Sequence, residues 1–193
     1  MKKIVFYISI IFAIQSCVSF DSNFQSSSIK KKSEIQSING IYEIIPTRVD
    51  TFSEKYNPPY MGENFLEEID RKLFSQNRLK YDTKRFDYYV ELEIENQKAL
   101  ILKYYKNDHF LESKRIKIKK KGDGYLYLKN RNVAFVGVPY LFGAIDVNRM
   151  RLIIDQEENL VLEVSNFRGG AIFMVGFLNN NKTKYRKVFR KIE

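Results

Sequence analysis

"FDYYVELEIENQKALILKYY", residues 86–105, decides the fold. Phe86, Tyr88, Val90, Leu92 and Ile94 alternate with Asp87, Tyr89, Glu91 and Glu93. A period of two sends successive side chains to opposite faces of a strand, one dry and one wet. Asn96, Gln97 and Lys98 interrupt the pattern, and "ALILKYY" restarts it, so the stretch is a hairpin. The rhythm continues outward. Asn107 and Asp108 turn the chain into "FLESKRIKIKK", and Lys121-Gly122-Asp123-Gly124 is a strong hairpin signal ahead of "YLYLK". Further strands are predicted over 147–154 and 160–164, separated by Gln156-Glu157-Glu158-Asn159. Another is predicted over 184–192, after a turn at Asn179-Asn180-Asn181, and a short one in "INGIYEII", residues 38–45. Successive strands on short turns imply a mainly β fold, an antiparallel meander forming a barrel or a strongly curved sheet.

One stretch changes period. In "NFLEEIDRKLF", Phe65, Leu66, Ile69 and Leu73 recur at helical spacing. Asn64 and Glu67 suit a capping box, and Glu67/Arg71 and Glu68/Lys72 are i,i+4 ion pairs. These features predict one short amphipathic helix over 64–75. Before it, Pro46 and Asn57-Pro58-Pro59-Tyr60 mark a loop.

Two further stretches have no period. "VAFVGVPYLFGA", residues 133–144, and "GGAIFMVGFL", residues 169–178, are nearly all apolar and too short to span a bilayer as helices. Each reads as a strand whose two faces are both covered, by protein, around an apolar cavity, or against a membrane. Phe135, Leu141, Phe173 and Val175 are the expected lining of such a cavity.

The N-terminus carries an address. Lys2 and Lys3 precede an apolar run from Ile4 to Ile14, broken by Ser9, and the single cysteine, Cys17, follows. A basic tip, an apolar run and a short polar exit make a secretory signal peptide. Ile14-Gln15-Ser16-Cys17 resembles the lipobox of bacterial lipoproteins, with an apolar branched residue three before the cysteine and a small one directly before it. The resemblance implies signal peptidase II cleavage after Ser16, with Ile14, Gln15 and Ser16 as its recognition residues. It also implies a diacylglyceryl group on Cys17. Ile14 and Gln15 depart from the commoner leucine and small residue, and an ordinary signal peptide is the alternative. An exported chain with one cysteine forms no internal disulfide. Two acyl chains, at about 0.8 kcal/mol per buried methylene, hold a protein stably where one does not.

The expected organisation is a signal peptide over 1–16, a lipidated cysteine and flexible tether over 17–37, and a single β-rich domain over 38–193. Residues 18–37 hold seven serines and Lys30-Lys31-Lys32. As a coil they would span roughly 25 Å. Cleavage removes two lysines and no acid, so the +10 of the whole chain becomes +8. Export argues against nucleic acid as the partner of that charge.

Catalytic constellations are not visible in the sequence. The one histidine, His109, lies in a predicted turn, and no Gly-rich phosphate loop or nucleophile elbow occurs. Glu91, Glu93 and Glu95 share a strand face, and Arg115, Lys117, Lys119 and Lys121 another; both read as solvated faces of a sheet. No enzyme activity, cofactor or metal is expected. From "INGIYEII" to "KVFRKIE" the chain resembles small envelope lipoproteins of Bacteroidota with a lipocalin-like β domain. The resemblance implies a cell-envelope protein anchored to a membrane through Cys17, the outer membrane ahead of the inner. The expected function is a binding module for a small apolar ligand or lipid. The alternative is an accessory protein docking onto an envelope assembly.

Overall fold

The structure is a computed structural model that describes residue 20 and residues 38–51, 62–70, 84–138, 142–172 and 176–192, with backbone alone for 130–138, 142–146, 168–172 and 176–181. Its strands are β1 (Gly40–Glu43), β2 (Arg48–Thr51), β3 (Tyr88–Glu95), β4 (Ala99–Lys106), β5 (His109–Lys120), β6 (Leu126–Val138), β7 (Phe142–Ile154), β8 (Leu160–Ile172) and β9 (Gly176–Phe189). Among the described residues one helix, α1 (Phe65–Ile69), lies between β2 and β3. All nine strands join one antiparallel sheet in the order β1-β3-β4-β5-β6-β7-β8-β9-β2. From β3 to β9 each strand pairs with the next, which is the meander expected of the sequence.

The turns follow from their residues. Asn96, Gln97, Asn107 and Asp108 all adopt positive φ, from 46° to 64°, the conformation that primed hairpin turns require. Gly124 at φ 86° closes the β5–β6 connection, where a side chain would be strained. The sheet then curls until it meets itself. Tyr42 on β1 bridges Lys191 beyond β9, Glu43 N donates to Arg190 O at 3.0 Å, and Ile192 N donates to Ile41 O at 2.7 Å.

The concave face is packed solid. Val90, Leu92, Leu100, Leu102, Leu126 and Leu152 are all at most 1 % exposed. Phe65, Leu66 and Ile69 enter the same cluster from α1. The helix therefore plugs one end of the barrel. Asn64 Oδ1 accepts from Glu67 N at 3.0 Å, the expected cap, while Glu67 reaches back to Glu63 N at 2.8 Å. Glu68 explains why the helix is short. It is 1 % exposed and accepts from Lys187 Nζ at 2.7 Å, from Gly62 N at 3.1 Å and from the Tyr185 hydroxyl. A solvated i,i+4 pair with Lys72 is thus not what Glu68 makes. The predicted helix over 64–75 ends at Asp70, whose φ of −126° is extended, and Asp70 pairs with Lys114 on β5. Arg71, Lys72, Leu73 and Phe74 lie outside the described residues.

The largest departure concerns the two apolar segments. Neither is one strand. Residues 133–144 run up β6 and return down β7, pairing Val133 with Val147 and Val138 with Phe142. Residues 169–178 likewise end β8 and begin β9, and Asn179, Asn180 and Asn181 lie within β9 rather than in a turn. An apolar run that changes direction midway leaves no polar signal at its bend. Of the asparagines, Asn181 pairs with Arg168 of β8, and Asn179 and Asn180 form an irregularity opposite Gly169 that leaves the strand continuous.

Candidate functional site

The plugged end of the barrel leaves a cleft between α1 and the rim of β3, β4 and β5. Its volume is about 200 Å³. Ile44, just past β1, and Leu66 on α1 contribute apolar side chains, both buried. Tyr88 and Tyr89 on β3 and Tyr104 and Tyr105 on β4 add four phenol rings, with Leu111 and Glu112 from β5. The β4–β5 register explains the last two. Tyr104 opposes Glu112 and Tyr105 opposes Phe110, so Leu111 is the extra residue of a bulge. A bulge bends its strand and re-aims a side chain. Residues 109–113 of β5 accordingly flare away from the barrel, all exposed, with Phe110 at 56 % and Leu111 at 47 %.

The rings are fixed at their polar ends. Tyr89 and Tyr105 stack at 4.9 Å between centroids, 15° from parallel, and Phe110 meets Tyr105 edge-on at 5.9 Å. The Tyr89 hydroxyl donates to Asp108 Oδ1 and that of Tyr105 to Glu91 Oε2, each at 2.9 Å. Lys103 Nζ donates to Glu91 Oε1 and Glu93 Oε2, each at 3.1 Å. Local burial and then the Asp108 carboxylate push the Tyr89 phenol up to about 12. The hydrogen bond to Glu91, then burial, raises Tyr105, and Lys103 holds Glu91 below the usual carboxylate range. At neutral pH these phenols are neutral donors, and Glu91 is a paired anion. Glu91 and Glu93 are the solvated face expected of them, and Arg115, Lys117, Lys119 and Lys121 are all exposed.

Such a cleft offers apolar walls and phenol rings to a ligand. His109, the sole imidazole, is exposed and sits 2.8 Å from Asn107 O through Nδ1. Among the described residues no three His, Cys, Asp or Glu side chains gather to hold a metal. The volume lies below the roughly 300–1,000 Å³ of sites for drug-sized ligands. A small ring, or one end of an acyl chain, is the size that fits.

Of the residues singled out in the sequence, Ile14, Gln15, Ser16 and Cys17 lie outside the described residues, as do Leu141, Phe173 and Val175. Phe135 lies on β6, where only the backbone is described. The cavity expected around Phe135, Leu141, Phe173 and Val175 thus lies outside the described side chains. The cleft did leave a mark in the sequence: two Tyr-Tyr pairs flank the Asn96-Gln97-Lys98 turn, with Tyr89 and Tyr105 each eight residues from Gln97, so the hairpin sets those two opposite each other.

Comparison with protein-family models, with curated proteins and with solved structures gives no match.

Proposed function

We propose that the protein is a bacterial envelope lipoprotein, held to a membrane through acylated Cys17, that binds a small apolar ligand or one end of a lipid chain. One observation carries the binding half of this reading: a cleft of about 200 Å³ with apolar Ile44 and Leu66 at its base and four tyrosines around it. Apolar walls supply affinity without selectivity, and the Tyr89 and Tyr105 rings, stacked on each other with hydroxyls held by Asp108 and Glu91, form a fixed wall beside the ligand. The anchor half rests on the placement of Ile14-Gln15-Ser16-Cys17 at the end of the apolar run.

Intact-mass analysis of protein extracted from membranes tests the anchor. The expected product lacks residues 1–16 and carries acyl mass on Cys17; an unmodified Cys17 in the mature chain rejects it. Solvent extraction of the purified protein, followed by mass spectrometry, tests the cleft. Wild type should release a small apolar compound that Leu66→Trp, whose larger ring fills the cleft, does not. If both release the same compounds, the cleft is not the site. The second reading, docking onto an envelope assembly, is favoured by Phe110 and Leu111, two large apolar side chains exposed side by side on the flared part of β5.

A further inference from the structure

The strand pairing places the two apolar segments together. β6–β9 are 13 to 14 residues long, against 8 for β3 and β4, and they run past the plugged end of the barrel. Phe142 on β7 pairs with Val138 on one side and Ile172 on the other, and Ile172 pairs with Gly176. The two hairpins thus end at one level, as a four-stranded block. Residues 133–138, 142–145, 169–172 and 176–178 within it contain no charge.

Below that block the charge is nearly all positive. Residues 129–149 and 165–184 contain Lys129, Arg131, Arg149, Arg168, Lys182 and Lys184 against one acid, Asp146, which the register sets opposite Arg168. A bulge in β6 sets residues 129–131 against Arg149 alone, which concentrates cations there. Lys129 and Lys182 are exposed. Further down, Phe20 is pinned to the outer face of the sheet. Its ring meets Tyr127 edge-on at 5.7 Å and lies 4.4 Å from the guanidinium of Arg151. Arg151 also covers Tyr125 at 3.6 Å and donates to buried Glu163 at 2.7 Å.

We propose that the block formed by the far halves of β6–β9 seats on a lipid surface bearing anionic headgroups, with the cationic band at headgroup level. The distances agree. At about 3.3 Å per residue, the charged rows from Arg149 to Asp146–Arg168 lie roughly 7 to 17 Å beyond Arg151, and the part charge-free on all four strands runs from roughly 20 to 30 Å beyond it. Cys17, three residues before Phe20, can reach about 10 Å from the pin. Its acyl chains therefore start within the cationic band, below the charge-free part. That orientation rests on the anchor reading above, whereas the lipid contact of the block does not. Backbone edges set the depth. Among the described residues β5 pairs with β6 only through Ile118–Lys120, and β2 pairs with β9 only from Tyr185 onward, so both edges of the block are open. Open edges are excluded from the hydrocarbon centre, so the block lies in the interfacial zone, where headgroups and water reach its amides.

The chain has no tryptophan, so a single one reports its own surroundings. Phe142→Trp and Phe177→Trp place it in the block, and Lys98→Trp at the opposite end of the barrel. The full chain, with Cys17 and as Cys17→Ser, is mixed with phosphatidylcholine vesicles with and without phosphatidylglycerol. In both backgrounds the block tryptophans should shift to the blue and be quenched most by lipids brominated near the headgroup, while Lys98→Trp stays unchanged. Attachment through residues 1–16 or an acyl chain alone would not produce that pattern. Lys129→Gln and Lys182→Gln should each weaken binding of the Cys17→Ser protein to phosphatidylglycerol vesicles about five-fold. Unshifted block tryptophans on bound protein overturn the proposal; quenching greatest near the chain ends overturns its depth. If the tryptophans respond but Cys17 proves unmodified in the cell, the anchor reading falls and the seat stands. Phe20→Ala should reduce block quenching in the acylated protein only, and unchanged quenching there removes the pin from the proposal.

Discussion

Strands β3 and β4 and the far halves of β6–β9 are the same kind of antiparallel sheet, yet only the first pair alternates. Val90, Leu92, Leu100 and Leu102 face the packed interior, while Glu91, Glu93 and Lys103 pair with one another on the outside. Residues 133–138 of β6 carry no charge for water to hold. A face in water must be polar enough to stay there, so a sheet without such a face has something other than water against it. The contrast teaches where the environment changes along one set of strands. The near half of β6–β9 completes a barrel, and the far half is the part proposed to seat on lipid.

The largest effect that can break this contrast lies at the plug. Lys187 and Glu68 are each 1 % exposed, and Lys187 also donates to Gly62 O. Removing one partner strands a buried charge, so Lys187→Met should cost about 3–5 kcal/mol in urea unfolding. Glu68→Leu together with Lys187→Met should cost less than Lys187→Met alone, because no charge is then left unpaired. A silent Lys187→Met would mean that water enters the plugged end.

Paired truncations sharpen the comparison directly. Leu102 is fully buried in β4, and Leu102→Ala should cost about 2–5 kcal/mol. Val136→Ala, on the far half of β6, should stay within about 0.5 kcal/mol in the absence of lipid, as surface substitutions do. Equal costs would make the far half protein core, and the cavity expected around Phe135 would become the better account of it.

How far the sequence discloses this molecule follows the same division. The hairpin over 86–105, the turns at Asn107-Asp108 and Lys121–Gly124 and the cap at Asn64 were legible because each is a local contrast between polar and apolar residues. The bends within 133–144 and 169–178 were not, because an all-apolar run has no contrast to show where it folds back. The burial of Glu68 was hidden for another reason: its partners, Tyr185 and Lys187, are more than a hundred residues away. The tyrosine cleft was half legible, since the Tyr-Tyr pairs were in view but the Leu111 bulge that opens the rim depends on register.

Alkaline pH offers the smallest test, and it compares outer faces. Tyr89 lies on the outer face of β3, half-exposed; Tyr125, just before β6, lies on the outer side of the sheet with Ile153, Val161 and Val188, all at most 6 % exposed. Burial, followed by the nearby Glu163 charge, pushes the Tyr125 phenol up to about 12, against about 10 for a tyrosine in the unfolded chain. The folded state therefore binds the proton more tightly. The stability this represents is complete below pH about 10 and is lost as pH rises towards about 12. Over that range unfolding should become easier by on the order of 2 kcal/mol through Tyr125, and Tyr125→Phe should remove that part of the loss. Tyr89 is raised to a similar value, but water screens it, so Tyr89→Phe should leave the alkaline slope nearly as it was. The check is urea unfolding at a series of pH values, with phenolate absorbance followed in parallel. If both variants flatten the slope equally, the outer face of β6–β9 is as wet as that of β3. Phe20 would then cover nothing, and the far halves would have to be placed without its help.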